Sequence, residues 1–321
     1  MKRLTVGAAL VAAGVLALSA CSGTGQDEGP ESADNLDLNY AIITHSGPGD
    51  AFWDRVKSGA ERAGDDYGVN VEYSADPDPA KQSQLIDSAV ADNVDGIVVS
   101  MANPDGLESS VKAAVAAGIP VITINSGIDS SAEFGAITHI GQSETVAGKA
   151  AGEQLKEAGL TNAICVIQEA GNVGLEERCS SAAEGFGGKM SNLQVDGTDD
   201  NAVQQTITSK LQADDSIDAV LTLGGQYAID ASNAVKDSGS SAKVATFDLS
   251  EDVITQIQDG TILFAVDQQP YVQGYLGITG LYLKDINGND IGGGLPINSG
   301  PAFVTQDNAD AVAEFASQGT R

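Results

Sequence analysis

Rings are scarce in this sequence. Aromatic residues make up 5% of its 321 positions, and Trp53 is the single tryptophan. Basic side chains are scarce as well: 16 lysines and arginines stand against 45 aspartates and glutamates, a formal charge of −29. Binding a phosphate backbone needs a basic footprint, so nucleic acid is not an expected partner. Such acidity belongs instead to a soluble, self-repelling surface. There are two histidines, His45 and His139, and three cysteines, none at a metal-ligand spacing, so no metal is expected. "GPGDAF" lacks the lysine of a P-loop and the GxGxxG spacing, and no cofactor is expected. No nucleophile and histidine stand at a recognisable spacing, which argues against catalysis.

A long apolar span is missing too. The longest candidate, "LTVGAALVAAGVLALSA", is short and rich in alanine and glycine, and it follows the basic start "MKR". A basic start, an apolar core and small residues before a cut make a secretory signal over residues 1–20. "LSAC" places Cys21 just after the cut and resembles the bacterial lipobox, which implies diacylation of that cysteine; the alternative is an ordinary signal with an incidental cysteine. Loss of Lys2 and Arg3 with the leader takes the formal charge from −29 to −31. Residues 21–37 include the polar, acidic "SGTGQDEGPESADN", which has no apolar period and reads as a flexible tether. With Cys21 lipidated, Cys165 and Cys179 remain. An even pair in an exported chain points to a disulfide, with two buried free thiols as the alternative.

The remaining stretch, about 285 residues, is long enough for two domains. "YAIITH" reads as a buried strand, and Phe52, Val56, Ala60, Ala63 and Tyr67 form the stripe of an amphipathic helix. "VNVEYS", "GIVVS" and "IPVITIN" are further strands with helical stretches between them; "LESSVKAAVAAG" is a helix closed by Gly118. "AICVIQ", "DAVLTL", "KVATFD" and "ILFAVD" repeat the alternation after Gly141. It argues for an α/β fold of two doubly wound parallel-sheet lobes. An internal spacing supports two similar lobes: Asp95 to Asn125 and Asp218 to Asp248 are each 30 residues, strand to strand across a helix.

Ligands of open α/β sheets bind beyond the carboxyl ends of the strands. That rule selects His45, Ser46, Ser100, Asn125, Gly224 to Gln226, Asp248, Asp267 and Gln268. None is a lysine or arginine, which disfavours a phosphate ligand.

Four blocks carry a family resemblance: "AFWDRVKSGAERAGDDYGV", "DGIVVSMANPDGLESSVKAAVAAGIPVITIN", "THIGQSETVAGKAAGEQL" and "VATFDLSEDVITQIQDGTILFAVDQQPYVQG". In this order they resemble the ribose-binding type of periplasmic sugar-binding protein, over about Leu38 to Val304. The resemblance implies a type I periplasmic-binding fold with three hinge crossings, expected near Gly141–Gln142, Asp267–Gln268 and Asn298–Ala302. Lobe one would be 38–141 plus about 269–300, and lobe two 142–268 plus about 301–321. It also implies an extracytoplasmic receptor, anchored by lipid to the outer face of a bacterial cytoplasmic membrane. Such a receptor, expected to be a monomer, would pass a small uncharged sugar or polyol to an ABC permease and its ATPase. A sensing module of the same fold is the alternative; an exported carbohydrate-active enzyme is a remoter one.

Site residues follow from the same resemblance. Phe52 and Trp53 match paired aromatics that lie against a sugar ring; Phe52 also suits core packing, whereas Trp53 sits about 100° off the helix stripe. Asp50 matches a polar contact and also suits a helix N-cap. Asn125 and Asp248 match hydroxyl-binding positions. Gln142 and Gln268 match polar contacts or hinge hydrogen bonds. Two departures stand out. In "GNVGLEERC" Arg178 keeps one family arginine while Glu176 takes the place of the other, and "LGGQ", with Gly224 and Gln226, has glycines where an asparagine–aspartate pair is common. Both put ribose itself in doubt and leave another pentose, a hexose, a polyol or an inositol open.

Overall fold

The structure is a computed structural model, and it describes residues 37–47 and 49–321. The chain alternates strand and helix almost throughout. Its strands are β1 (Asn39–Thr44), β2 (Asn70–Ala75), β3 (Gly96–Ser100), β4 (Val121–Ile124), β5 (His139–Gly141), β6 (Asn162–Ile167), β7 (Lys189–Gln194), β8 (Ala219–Thr222), β9 (Lys243–Phe247), β10 (Ile262–Asp267), β11 (Ile297–Asn298) and β12 (Ala302–Thr305). The helices are α1 (Ala51–Tyr67), α2 (Pro79–Ala91), α3 (Pro104–Ala116), α4 (Ile128–Ser131), α5 (Glu144–Glu157), α6 (Val173–Phe186), α7 (Asp200–Ala213), α8 (Gly225–Ser238), α9 (Glu251–Gln258), α10 (Pro270–Asn287) and α11 (Ala309–Ser317).

Two six-stranded sheets result, ordered β11-β5-β4-β3-β1-β2 and β12-β10-β9-β8-β6-β7. Apart from the edge strands β11 and β12, they are the same winding position for position. The strands pair in parallel except β12, which runs antiparallel to β10. This is the α/β architecture of two doubly wound lobes that the alternation predicts.

Sequence explains the layering. Strands β3, β4 and β6 are buried along their whole length, as parallel strands covered on both faces must be. Each sheet accordingly has an apolar layer on either side: Ile42, Val56, Ile122 and Ile278 on one face of the first, Ile43, Ile97, Leu107 and Val111 on the other. In the second lobe the layers are built around Val203, Val220 and Ile257, and around Leu155, Leu221 and Phe247. The edge strand β7 reads "KMSNLQ" and is half exposed, which is why no apolar run marks it in the sequence.

Helix pairs pack closely because glycine is placed at their contacts. A Cβ at Gly274 of α10 would collide with the Val56 carbonyl of α1, and one at Gly152 of α5 with the Ala182 carbonyl of α6. Helix α10 lies on the first sheet although it follows β10 of the second, and α11 packs on α9. The chain thus passes between sheets after Gly141, after Asp267 and between Asn298 and Ala302. Those three passages are stitched together: Ser299 N donates to Gly141 O at 2.7 Å, Ser299 Oγ to Gln268 O at 2.7 Å, and Gln273 Nε2 to Gln268 O at 3.1 Å.

Cys165 of β6 and Cys179 of α6 form a disulfide, with Cα atoms 5.8 Å apart. The free-thiol alternative is thereby set aside. Cys21, with the leader and tether, lies outside the described residues. Among the described residues, no helix is long and apolar enough to cross a membrane, and no cluster of histidine, cysteine and carboxylate side chains could hold a metal ion.

Candidate functional site

A cavity of about 440 Å³ lies between the lobes. Its walls are strand ends and the helix N-termini that follow them, as winding at a switch point dictates. The equivalent strands β4 and β9 end in Asn125 and Asp248, and both residues have left-handed backbones, φ 61° and 68°. The identical turn aims both side chains into the space between the sheets. Gln268, at the second hinge passage, ties them together: Asn125 Nδ2 donates to its Oε1 at 3.1 Å, and its Nε2 donates to Asp248 Oδ1 at 2.7 Å. A backbone bond also crosses the cleft, from Val173 N to Ala102 O at 3.1 Å, so the lobes are closed on one another.

On the first lobe, Asp50 caps α1 by accepting from Phe52 N at 2.9 Å, and it also lines the cavity. Burial pushes its carboxyl up to about 6. The aromatic pair behaves differently from expectation. Trp53 is 3% exposed and packs with Val56, Ala60 and Ala63, while Phe52 is the more open of the two. The core stripe therefore runs from Trp53 rather than Phe52, since 53-56-60-63 is as good a helical spacing as 52-56-60-63-67. Both rings still line the cavity, edge to face with centroids 5.0 Å apart. His45 completes this wall, 4.7 Å from the Trp53 ring. Its Nδ1 pairs with Ser100 Oγ at 2.7 Å. Burial lowers its pKa against the opposing pull of Glu169, so the ring is neutral and the 3.9 Å approach to Glu169 is not an ion pair at neutral pH.

The second lobe supplies charge. Arg178 makes a bidentate pair with Glu144, at 2.6 and 2.7 Å, and a third bond to Leu223 O at 3.3 Å. Its guanidinium stacks on Phe247 at 4.3 Å. Burial alone would lower the Arg178 pKa, but the Glu144 carboxylate reverses this and raises it. Asp248 is pushed up to about 7 by burial, although Arg178 and the Gln268 amide pull the other way. Gly224 and Gln226 line the cavity as well.

Five expected residues stand elsewhere. Asp267 is buried at the second hinge passage, its carboxylate accepting from Gln269 N at 2.8 Å and Arg321 Nε at 2.7 Å. Ser100 is fully buried behind His45. The Ser46 hydroxyl turns to Gly47 O at 2.9 Å, and Ser46 does not line the cavity. Gln142 sits at the first hinge passage, its Nε2 donating to Glu144 Oε2 at 3.1 Å, and it does not line the cavity. Glu176 is exposed: it is rotated about 100° from Leu175 and about 200° from Arg178, the two α6 residues that face the cavity. Conversely, Gln168, Glu169, Asn172, Tyr227 and Asp230 line the cavity and were not expected. Gln168 follows β6 as His45 follows β1, so the strand-end rule applied to the second lobe would have found it. Asn172 caps α6, accepting from Gly174 N at 3.0 Å, and its amide donates to Glu169 at 2.7 Å.

Fold and cleft define a two-lobed binding protein. The chain belongs to the periplasmic binding protein family, whose domain model matches residues 40–284. Among solved structures it is similar to a carbohydrate transporter from Acidothermus cellulolyticus 11B, in complex with myo-inositol: 47% identity, TM-score 0.88, covering 89% of this chain and 100% of that one. Its relatives include the fructose import binding protein FruE of Bifidobacterium longum, 26% identical over 84% of this chain and 86% of that protein. The ribose import binding protein RbsB of Haemophilus influenzae is 27% identical, over 87% and 91%.

Proposed function

We propose that this protein is the lipid-anchored receptor of an ABC importer, capturing a small uncharged polyhydroxylated ring between its lobes and presenting it to a permease and ATPase. Its mature portion would be a tether over 21–37, lobe one over 38–141 and about 269–300, and lobe two over 142–268 and about 301–321. The observation that carries the ligand class is the balance of donors and acceptors in the cavity. Several donors are already committed: Arg178 to Glu144 and Leu223 O, Asn125 to Gln268, Asn172 to Glu169, while the Gln168 and Gln226 amides stay open to a ligand. Carboxylate oxygens remain: one on Asp50 beyond its cap, one on Asp248 beyond its bond to Gln268, and those of Asp230. Such a wall wants a ligand that donates, and it repels anions. Hydroxyl groups donate; the ring oxygen of a furanose or pyranose only accepts. Sugars and carbocyclic polyols both bring such hydroxyls, and likeness to the inositol complex favours the polyol. The Trp53 and Phe52 edges offer an apolar surface for the C–H face of such a ring.

A thermal-shift screen of the protein against inositols, pentoses and hexoses tests the reading. Ligand at 100 times its Kd adds about 2.7 kcal/mol, a visible rise in midpoint. A screen in which no polyol or sugar shifts the midpoint would remove the proposal. The anchor is tested apart: Cys21→Ser is expected to move the protein from the membrane fraction to the medium, and retention without an acyl group would refute it.

A further inference from the structure

We propose that Asp230 determines specificity: it is a second acceptor carboxylate of the cleft, reading a ligand hydroxyl that Asp248 does not reach. The inference rests on the polyol reading above. Asp230 lies on α8, four residues after Gln226, so the two share a helix face, and both line the cavity. The residue is only 8% exposed, and its Oδ2 has no hydrogen-bond partner among the described residues. A buried carboxylate oxygen without a donor costs stability, and such a group in a native protein calls for a reason. Its electrostatic surroundings make the cost larger: burial and the neighbouring Asp200 push its carboxyl up to about 6.

Two features of the local sequence say what the reason is. Gly224 and Gly225, at the start of α8, add no side chain to the wall, and both they and Asp230 one turn on line the cavity. The two acceptors stand on different elements: Asp248 directly follows β9 beside the hinge, and Asp230 lies in the second turn of α8. One carboxylate beside the hinge and another on α8 would demand hydroxyls at two places on the ring. A ligand lacking the second one leaves Asp230 unpaired, which is a rejection built from desolvation.

The test is calorimetry with myo-inositol, its mono-deoxy analogues and D-ribose, on wild-type protein and on Asp230→Asn and Asp230→Ala. Myo-inositol is expected to bind both variants about 10- to 150-fold more weakly, the range for losing a charged hydrogen bond. One mono-deoxy analogue, the one missing the hydroxyl read here, is expected to bind wild type and variants alike. The ligand-free midpoint of Asp230→Asn is expected to equal or exceed that of wild type, since an unpaired carboxylate is removed. Unchanged affinities in both variants, equal losses for every probe, or variants that fail to fold would overturn the inference by making Asp230 a bystander or a structural residue. Wild-type protein that binds none of the probes would instead overturn the polyol reading beneath it.

Discussion

The two lobes share a winding and differ in what they bring to the cleft. Strand order is the same, and Asn125 and Asp248 end equivalent strands with the same left-handed turn. Yet the first lobe offers a neutral histidine, two rings and an amide, with Asp50 occupied in capping α1. The second offers Arg178, Glu169, Asp230 and Asp248, and beneath them a buried ion pair and a disulfide. One duplicated frame has been filled with two chemistries. On the reading proposed here, one lobe holds the apolar face of the ring and the other reads its hydroxyl edge. The closed form brings the two together.

The largest expected effect breaks the charged lobe. Arg178→Ala would leave Glu144 buried without its partner, and removing one member of a buried pair costs about 3–5 kcal/mol. Urea unfolding measures it. In the first lobe Lys57 and Glu61 are half exposed, and Lys57→Ala is expected to make no measurable difference. Similar small losses for both would mean the lobes are not held differently.

Next comes the disulfide. Cys165 and Cys179 are separated by 14 positions, and replacing both with alanine is expected to lower stability by about 3 kcal/mol in the chain-entropy model. Reduction should lower the wild-type midpoint and leave the double variant unmoved.

The proposed site is then sharpened by Asp248→Ala. Losing its hydrogen bonds to a ligand hydroxyl is expected to cost about 1.5–3 kcal/mol in binding, about 10- to 150-fold in Kd. Calorimetry with myo-inositol reads it, and unchanged affinity would move the site away from the β9 end.

A pH effect probes the same residue without ligand. Asp248 is pushed up to about 7 by burial, while in the unfolded chain a carboxyl ionises near ~4. Between those values the folded state holds a proton that the unfolded state has lost. The group's contribution to stability is full below pH ~4 and disappears as pH climbs to ~7. Asp248→Asn lacks this loss, so its ligand-free midpoint should rise relative to wild type across that window and then level off. A constant difference from pH 4 to 7 would show that Asp248 ionises at its ordinary value.

The apolar runs "YAIITH", "GIVVS", "AICVIQ" and "KVATFD" announce strands because a parallel strand under helices on both faces must be apolar throughout. The short β5 and the polar edge strand β7 carry no such run and were not legible. Strand-end logic found Asn125, Asp248 and Gln268 because the ends of parallel strands face the cleft wherever the helices between them lie. Ser46, Ser100 and Asp267, chosen by the same rule, do not line the cavity. The rule missed Asp230 and Tyr227, which lie within a helix, where nothing local distinguishes a cleft-facing position from a core one.

The sequence by itself determined the alternation of strand and helix, the duplicated 30-residue spacing, and an acidity unsuited to a nucleic-acid partner. These are local properties of period and composition, and they survive without knowledge of neighbours. Only the tertiary structure decided that Arg178 is locked onto Glu144 and that Trp53 rather than Phe52 enters the core. It alone places Asp230, with a buried unpaired oxygen, among the residues of the cavity wall. Each of these depends on which groups from distant segments meet in a dry interior, where a charge or a hydrogen bond is settled by its partners rather than by its position in the chain.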